Sequence, residues 1–381
     1  MVFYLLCVAT CRYGGGSDEA EGPKASDEDG RADTRECSDF EVLWYSGSYK
    51  SPFQPVSVWR PKCPHGYTSV GDMVSFGKDR LEPLFKIGLR PLDLAQWFEP
   101  DGDLAAYRAE KDRLTASEGE LVFRAEPGTE AAQAEVRALL IDNLARYHPQ
   151  ISLPEDSDGP DLLEAARCVQ EDLVLMRLDP NADPARWRMV AASLHFPSSW
   201  KLGEKISRPL DEIHDNVPGF GPNTRNAGLM ARIFDGLKVE QPVQRMNWTL
   251  YPTPTLHHPY SARDRGANPD RHTLDAASFI RVERQTLRKL PQSGDILFTI
   301  RIYIDPIAAL SRHPETLRAL KANLQALTPA ERDYKGLRKA FDDVMAVIEG
   351  YEGASDQGAS DQGASDQGAG DSRSPGDQAD P

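Results

Sequence analysis

Hydrophobic positions in this chain follow two periods, and the switches between them mark out its elements. From about Thr129 to Tyr147, Ala132, Val136, Leu139, Leu140 and Leu144 recur at helical spacing, which predicts an amphipathic helix packing its apolar face on a sheet. Strand patterns follow at Asp172–Leu178 and Trp187–Phe196, then a helix at Asn223–Leu237 and a strand at Val243–Leu250. The strongest signal is a hairpin, with Phe279–Leu290 and Gly294–Ile304 flanking the turn Pro291-Gln292-Ser293-Gly294. Beyond Pro306 the pattern is helical to Tyr351, Pro314 opening one helix and Thr328-Pro329 the next. Hairpin-joined strands followed by packed helices predict an α+β fold.

Both ends break this pattern. Gly14 to Thr34 is Gly, Ser, Asp and Glu with little to bury, and Gly-Ala-Ser-Asp-Gln repeats three times from Gly353 to Gln367, so both stretches read as disordered tails. Between the first tail and the main domain, Val42 to Phe76 carries β-type runs broken by Pro and Gly. Trp59-Arg60-Pro61-Lys62-Cys63-Pro64-His65-Gly66-Tyr67 followed by Val70-Gly71-Asp72 resembles a turn motif of vacuolar-protein-sorting-type β-rich proteins. The division expected is an acidic segment over 1–41, a small β-rich segment over 42–80, the main domain over 81–350 and a low-complexity acidic tail over 351–381.

Composition sharpens this. The 381 residues, 40% hydrophobic, suffice for a sizeable core. The formal charge of −15 sits mostly in the tails: ten acids against three Lys/Arg from Asp18 to Glu41, and seven acids against one Arg from Tyr351 to Pro381. The middle is close to neutral and offers no field for nucleic acid or an anionic membrane, so neither partner is expected. Cys7, Cys11, Cys37, Cys63 and Cys168 form neither a disulfide framework nor a zinc set. Met1 to Thr10 makes a poor signal peptide and no run is long enough to span a bilayer, which leads to the expectation of a soluble cytoplasmic protein.

Several chemistries lack their signatures. No G-x-G-x-x-G follows a strand, and no P-loop, C-x-x-C-H or multi-Cys run is present, so any redox chemistry must borrow its electrons. One polar cluster stands out in core-like sequence: Pro197-Ser198-Ser199-Trp200, Glu204-Lys205, and Ile213-His214-Asp215-Asn216-Val217-Pro218-Gly219. Held between an apolar Ile and a Val-Pro-Gly turn, His214 has the setting of an oriented metal ligand. Composition alone favours a half-buried histidine bonded to backbone. In the first hairpin strand, period-two alternation puts Arg281, Glu283, Gln285 and Leu287 on one face and Val282, Arg284, Thr286 and Arg288 on the other. Such arginines meet either an internal carboxylate or a ligand's. His257-His258 reads as a surface pair, His195 as a satisfied core histidine, and Cys168 lacks the glycine-rich approach of a thiolate ligand.

Taken in order, Gln170-Glu171-Asp172-Leu173-Val174-Leu175-Met176-Arg177, Pro197-Ser198-Ser199-Trp200, Lys205, Ile213-His214 with Val217-Pro218, Asn247-Trp248, Arg281-Val282-Glu283-Arg284-Gln285-Thr286-Leu287 with Leu290-Pro291, and Leu297-Phe298-Thr299-Ile300-Arg301 resemble the haem-dependent oxidative N-demethylase α-subunit-like family. Gly88-Leu89-Arg90-Pro91-Leu92 and Tyr147-His148-Pro149 look like its upstream segments, so the resemblance spans roughly Leu84 to Gly350.

The resemblance implies a haem b protein with an antiparallel PAS-like sheet. Such a protein would remove a methyl group from a small secondary amine with dioxygen and electrons from a separate flavin or iron–sulfur reductase, releasing formaldehyde. Carried over by position, His214 is the iron ligand, with Trp200, Arg281 and Arg284 about the cofactor and Lys205, Glu204 and Asp215 as catalytic candidates. Glu204, Asp211, Glu212 and Asp215 are carboxylates to which a cationic amine could go. At Asn216 the sequence departs from the proline usual there, loosening the turn that would orient His214. The alternative is a non-catalytic haem or small-ligand sensor on the same fold.

Overall fold

The computed structural model describes residues 88–352 apart from 156, 261–273, 275–277 and 313, with backbone alone for 311–312 and for six strands near the N-terminus. Those six are β1 (Ala9–Tyr13), β2 (Thr34–Cys37), β3 (Phe40–Tyr45), β4 (Ser57–Pro61), β5 (Tyr67–Ser69) and β6 (Met73–Ser75), in two antiparallel three-stranded sheets ordered β2-β1-β5 and β3-β4-β6. Most of the acidic segment, Lys62 to Gly66 and Val70 to Asp72 of the Trp59–Asp72 motif, and the repeats from Gly353 lie outside the described residues.

The main domain is α+β. Its sheet has seven strands, β7 (Arg90–Pro91), β8 (Phe123–Ala125), β9 (Asp172–Asp179), β10 (Arg186–Ser193), β11 (Val243–Tyr251), β12 (Phe279–Lys289) and β13 (Ile296–Pro306), ordered β7-β11-β12-β13-β9-β10-β8 with every pair antiparallel. The predicted hairpin is its centre, β12 and β13 pairing from Phe279↔Pro306 to Lys289↔Ile296. Gly294, at φ +73°, supplies the left-handed residue of the turn. Both edge strands are very short, which limits stray edge-to-edge pairing.

Period-two alternation sends the two faces to different cores. Leu173, Leu175, Val190, Ala191 and Leu297 face helices α2 (Glu130–Tyr147) and α3 (Asp161–Arg167), through Val136, Leu140, Leu144, Leu162 and Ala165. Farther along the same face, Trp248, Leu250, Ile280, Val282 and Tyr303 meet α7 (Pro314–Ala326) and the final helix, over 341–352, through Leu317, Leu320, Leu324, Val344 and Ile348. Between these last two helices, α8 (Pro329–Tyr334) opens with a capping box in which Thr328 and Glu331 satisfy each other's backbone N–H. Among the described residues, no helix is long and apolar enough to cross a membrane.

The opposite face presents Val174, Met176, Trp187, Met189, Leu287, Ile300 and Ile302 to the segment after β10, with α4 (Leu202–Lys205), α5 (Leu210–Ile213) and α6 (Arg225–Gly236). Helix α1 (Leu104–Glu118), which the hydrophobic pattern did not predict, buries only Leu104, Lys111 and Leu114. Lys111 is held there because its Nζ donates to the carbonyls of Ala166, Val169 and Glu171 at 2.9, 3.0 and 2.5 Å.

Candidate functional site

The α4–α6 segment does not close fully on the sheet. It leaves a cavity of about 390 Å³, within the range of small-ligand sites. Strand register grades the floor from polar to apolar. Asn247 lies opposite Glu283 and Arg245 opposite Gln285 on β11 and β12; one strand farther, Leu287 lies opposite Phe298 and Gln285 opposite Ile300, with Val174 and Met176 beyond on β9. Ile213, His214, Val217, Phe220, Met230 and Phe234 form the roof.

Position 214 is set by a short, well-tied segment. Met189 pairs through its backbone with the link between the helices, its N–H reaching Arg208 O at 3.1 Å and its carbonyl accepting from Ser207 N–H at 2.8 Å, so α4 and α5 hang on β10. After the helix, Val217 N–H donates to His214 O at 2.9 Å, and Gly219 takes φ +77°. At Gly221 a Cβ would stand 3.1 Å from both Cα and Oδ1 of Asp215, so a larger residue there would press on the turn. The turn is thus held by hydrogen bonds and glycines even with Asn216 in place of the expected proline; Asn216 itself is on the cavity wall.

The His214 ring lies on the cavity with Nδ1 2.7 Å from Leu210 O. A carbonyl only accepts, so Nδ1 carries the proton and the lone pair is on Nε2, which has no partner among the described residues. Burial, with Lys205 and Arg245 nearby, pushes the ring's pKa down to about 4 and keeps it neutral. Lys205 also lines the cavity. Its Nζ stands 4.3 Å from the Trp200 ring centroid and has no hydrogen bond or ion pair among the described residues. It is half-buried, and desolvation pulls its pKa down to about 8 against the opposing pull of Glu283 and Glu204. Glu204 lines the cavity beside it.

At the polar end Glu283 accepts at Oε2 from Asn247 Nδ2 (3.2 Å) and Gln285 Nε2 (2.9 Å). The turn after α8 brings in Tyr334, Lys335 and Gly336. Lys335 donates to Asn247 Oδ1 at 3.2 Å and Trp248 O at 2.5 Å, with its pKa lowered to about 8 by burial. Burial, reinforced by Glu283, raises the Tyr334 phenol to about 12.

The structure thus brings together His214, Lys205, Glu204 and Trp200, and leaves Arg281, Arg284 and Asp215 off the cavity. Arg281 lies on the cavity side of β12, as alternation predicts, but its fork donates to the carbonyls of Phe196 (2.7 Å) and Leu256 (2.9 Å), locking the wall from behind. Arg284 points through the opposite face and meets Gln244 Oε1 at 3.0 Å and Glu99 at 3.3 Å, together with the carbonyls of Gln96 and Trp97. It forms the internal ion pair that the sequence offered as one alternative, on the face of the sheet away from the cavity. Asp215 is exposed, and Asp211 and Glu212 are taken by Arg186, at 2.6 and 3.4 Å. Gln170, Glu171 and Asp172 are structural: Gln170 and Asp101 pair, Glu171 accepts from Glu99 N–H, and Asp172 accepts from the N–H groups of His195 and Phe196 at 2.8 and 2.9 Å.

His195 is a core histidine as expected, Nε2 lying 3.0 Å from Thr115 Oγ1. His258 is not a surface residue. It is 1% exposed and stacks on Tyr251 at 4.3 Å, because its backbone N–H and C=O pair with Pro197 and Ser199. Cys168 is a buried thiol away from the cavity, with its Sγ 3.4 Å from Glu164 O.

A family model matches residues 88–159 and 152–345, well over half the chain, and its description is haem-dependent oxidative N-demethylase, alpha subunit-like. The chain belongs to this family. The match covers every cavity residue named above and the whole seven-stranded sheet. Sequence reasoning reached His214, Lys205 and Trp200 through this family's motifs. It gave no role to Glu283, Arg245, Tyr334 or Lys335, since the last two lie in a helical stretch whose one local marker is the glycine after them, Gly336 at φ +74°.

Proposed function

We propose that this chain is a haem-binding oxidoreductase of the monooxygenase type, with a PAS-like sheet, that removes a methyl group from a small secondary amine. The observation that carries this reading is the state of His214: neutral, its Nδ1 proton bound to a backbone carbonyl and its Nε2 lone pair left for the cavity. Metal-ligating histidines have this form. Among the described residues no three His, Cys, Asp or Glu side chains gather as a metal-ligand set. A metal at His214 would therefore bring its other ligands with it, as the iron of haem b does.

The rest of the wall fits that group. Its apolar reach, from Val174 and Met176 to Phe298 and Phe234, suits a macrocycle, and the Lys205 ammonium suits a propionate. Bound haem supplies dioxygen activation, and two external electrons and two protons complete the balance: amine N-methyl plus dioxygen gives demethylated amine, formaldehyde and water. The chain's own contributions are to orient the His214 lone pair, offer a cation at Lys205 and shield the site from bulk water under α4–α6. Electrons come from a separate flavin or iron–sulfur reductase.

Reductase-dependent release of formaldehyde from dimethylamine by the haem-loaded protein tests this function. Haem binding without turnover of any methylamine would instead make the chain a sensor.

A further inference from the structure

Glu283 has two carboxylate oxygens in different circumstances. Oε2 is saturated by Asn247 and Gln285, and Asn247 is itself held by Lys335 Nζ. Oε1 receives no hydrogen bond among the described residues, and it is not sealed in protein, since Glu283 stands on the cavity wall. The backbone beneath is held from both sides: at Glu283, β12 is paired with β11 on one side and β13 on the other. A buried carboxylate normally finds a cation or further donors. Neither nearby lysine forms an ion pair with this one, Lys335 being turned to Asn247 and the Trp248 carbonyl, and Lys205 to Trp200.

We infer that Glu283 Oε1 is the acceptor that recognises the nitrogen of the amine substrate, taking an N–H of its ammonium while Ile300, diagonally across from it on β13, faces its methyl groups. This rests on the amine-demethylating reading above. In place of the α5 carboxylates, which are taken by Arg186, it puts one that is buried, pre-oriented and on the cavity. Lys205, on the same cavity wall and without an ion pair among the described residues, has the opposite sign and is left for the cofactor.

The test is calorimetric titration of the haem-loaded full chain with dimethylammonium and, as a neutral molecule of similar shape, 2-propanol. Glu283→Gln keeps the size and the Asn247 contact but removes the charge. It is expected to weaken dimethylammonium binding roughly ten- to a hundredfold, the worth of one charged hydrogen bond. Affinity for 2-propanol, haem content and thermal midpoint should stay as in the wild type, and Glu283→Asp should recover part of the loss. Unchanged dimethylammonium binding in Glu283→Gln, no binding by the haem-loaded wild type, or loss of haem in the variant would each overturn the inference. A wild type that takes up no haem would fail the functional reading itself, a distinct result read from its absorption spectrum.

Discussion

His214 Nδ1 lies 2.7 Å from the carbonyl oxygen of Leu210, four residues back at the start of α5. A backbone atom thus fixes the ring's tautomer, and the orientation of Nε2 depends on how firmly α5 is seated. Pro209 opens that helix, its carbonyl accepting from Ile213 N–H at 2.9 Å. Pro209→Gly frees the unfolded chain and loosens the helix start, at about 1 kcal/mol. Haem should then dissociate several-fold faster, measured by transfer to an excess of a haem-free acceptor protein, with little change in the circular dichroism of the sheet.

Lys205 holds a half-buried charge with no acceptor among the described residues, so its effects on stability and on binding should have opposite signs. Lys205→Met keeps the length and removes the charge. The haem-free protein should gain about 1–2 kcal/mol in denaturant unfolding, less than the full depression of the lysine's pKa implies because the cavity screens part of it. Haem affinity should fall. A stability loss together with unchanged haem affinity would show that Lys205 is only structural.

Arg284 and Glu99 form an ion pair on the far face of the sheet, 0% and 2% exposed, with Tyr303 also donating to Glu99. Removing one partner leaves the other charge buried. Arg284→Met is expected to cost about 3–5 kcal/mol, read from the urea midpoint, whereas an arginine serving only the cofactor would cost the haem-free protein little.

Burial lowers the pKa of His195 to about 2, and the ring is fully enclosed. The folded state therefore keeps the neutral ring while the unfolded chain takes up a proton below its ordinary value of 6.5. Between 6.5 and about 2 the unfolded state binds more protons, and stability falls as the pH falls. From pH 6.5 to 5 this one group should remove about 2 kcal/mol. His195→Gln should flatten that part of the stability profile measured by denaturant titration. His258 and His214, lowered to about 3 and 4 by burial, steepen the profile, while Asp172, raised by burial to about 6, opposes them between 3.8 and 6.

Elements with strong periodicity were legible in the sequence. The β12–β13 hairpin, α2 and α6 appear within a few residues of their predicted bounds, because the apolar positions on each of their buried faces pack into a core. Helix α1 was not, since half its length covers a lysine bound to carbonyls and its buried apolar residues are only Leu104 and Leu114. Alternation correctly divided β12 into its two faces, but not which arginine meets what: Arg281 and Arg284 donate to acceptors from residues 96–99, 196, 244 and 256, far away in sequence. Glu283 escaped for a similar reason, since its partial satisfaction depends on the register of β11 against β12.

The central claim is that His214 holds haem iron through Nε2. Absorption spectra of wild type and His214→Ala, both expressed with ample haem, test it most directly. The wild type should carry stoichiometric haem with the Soret band of a histidine-ligated iron, and the variant should lose most of its haem or show a band shifted to another ligation state. A variant with the haem content and spectrum of the wild type would contradict the claim.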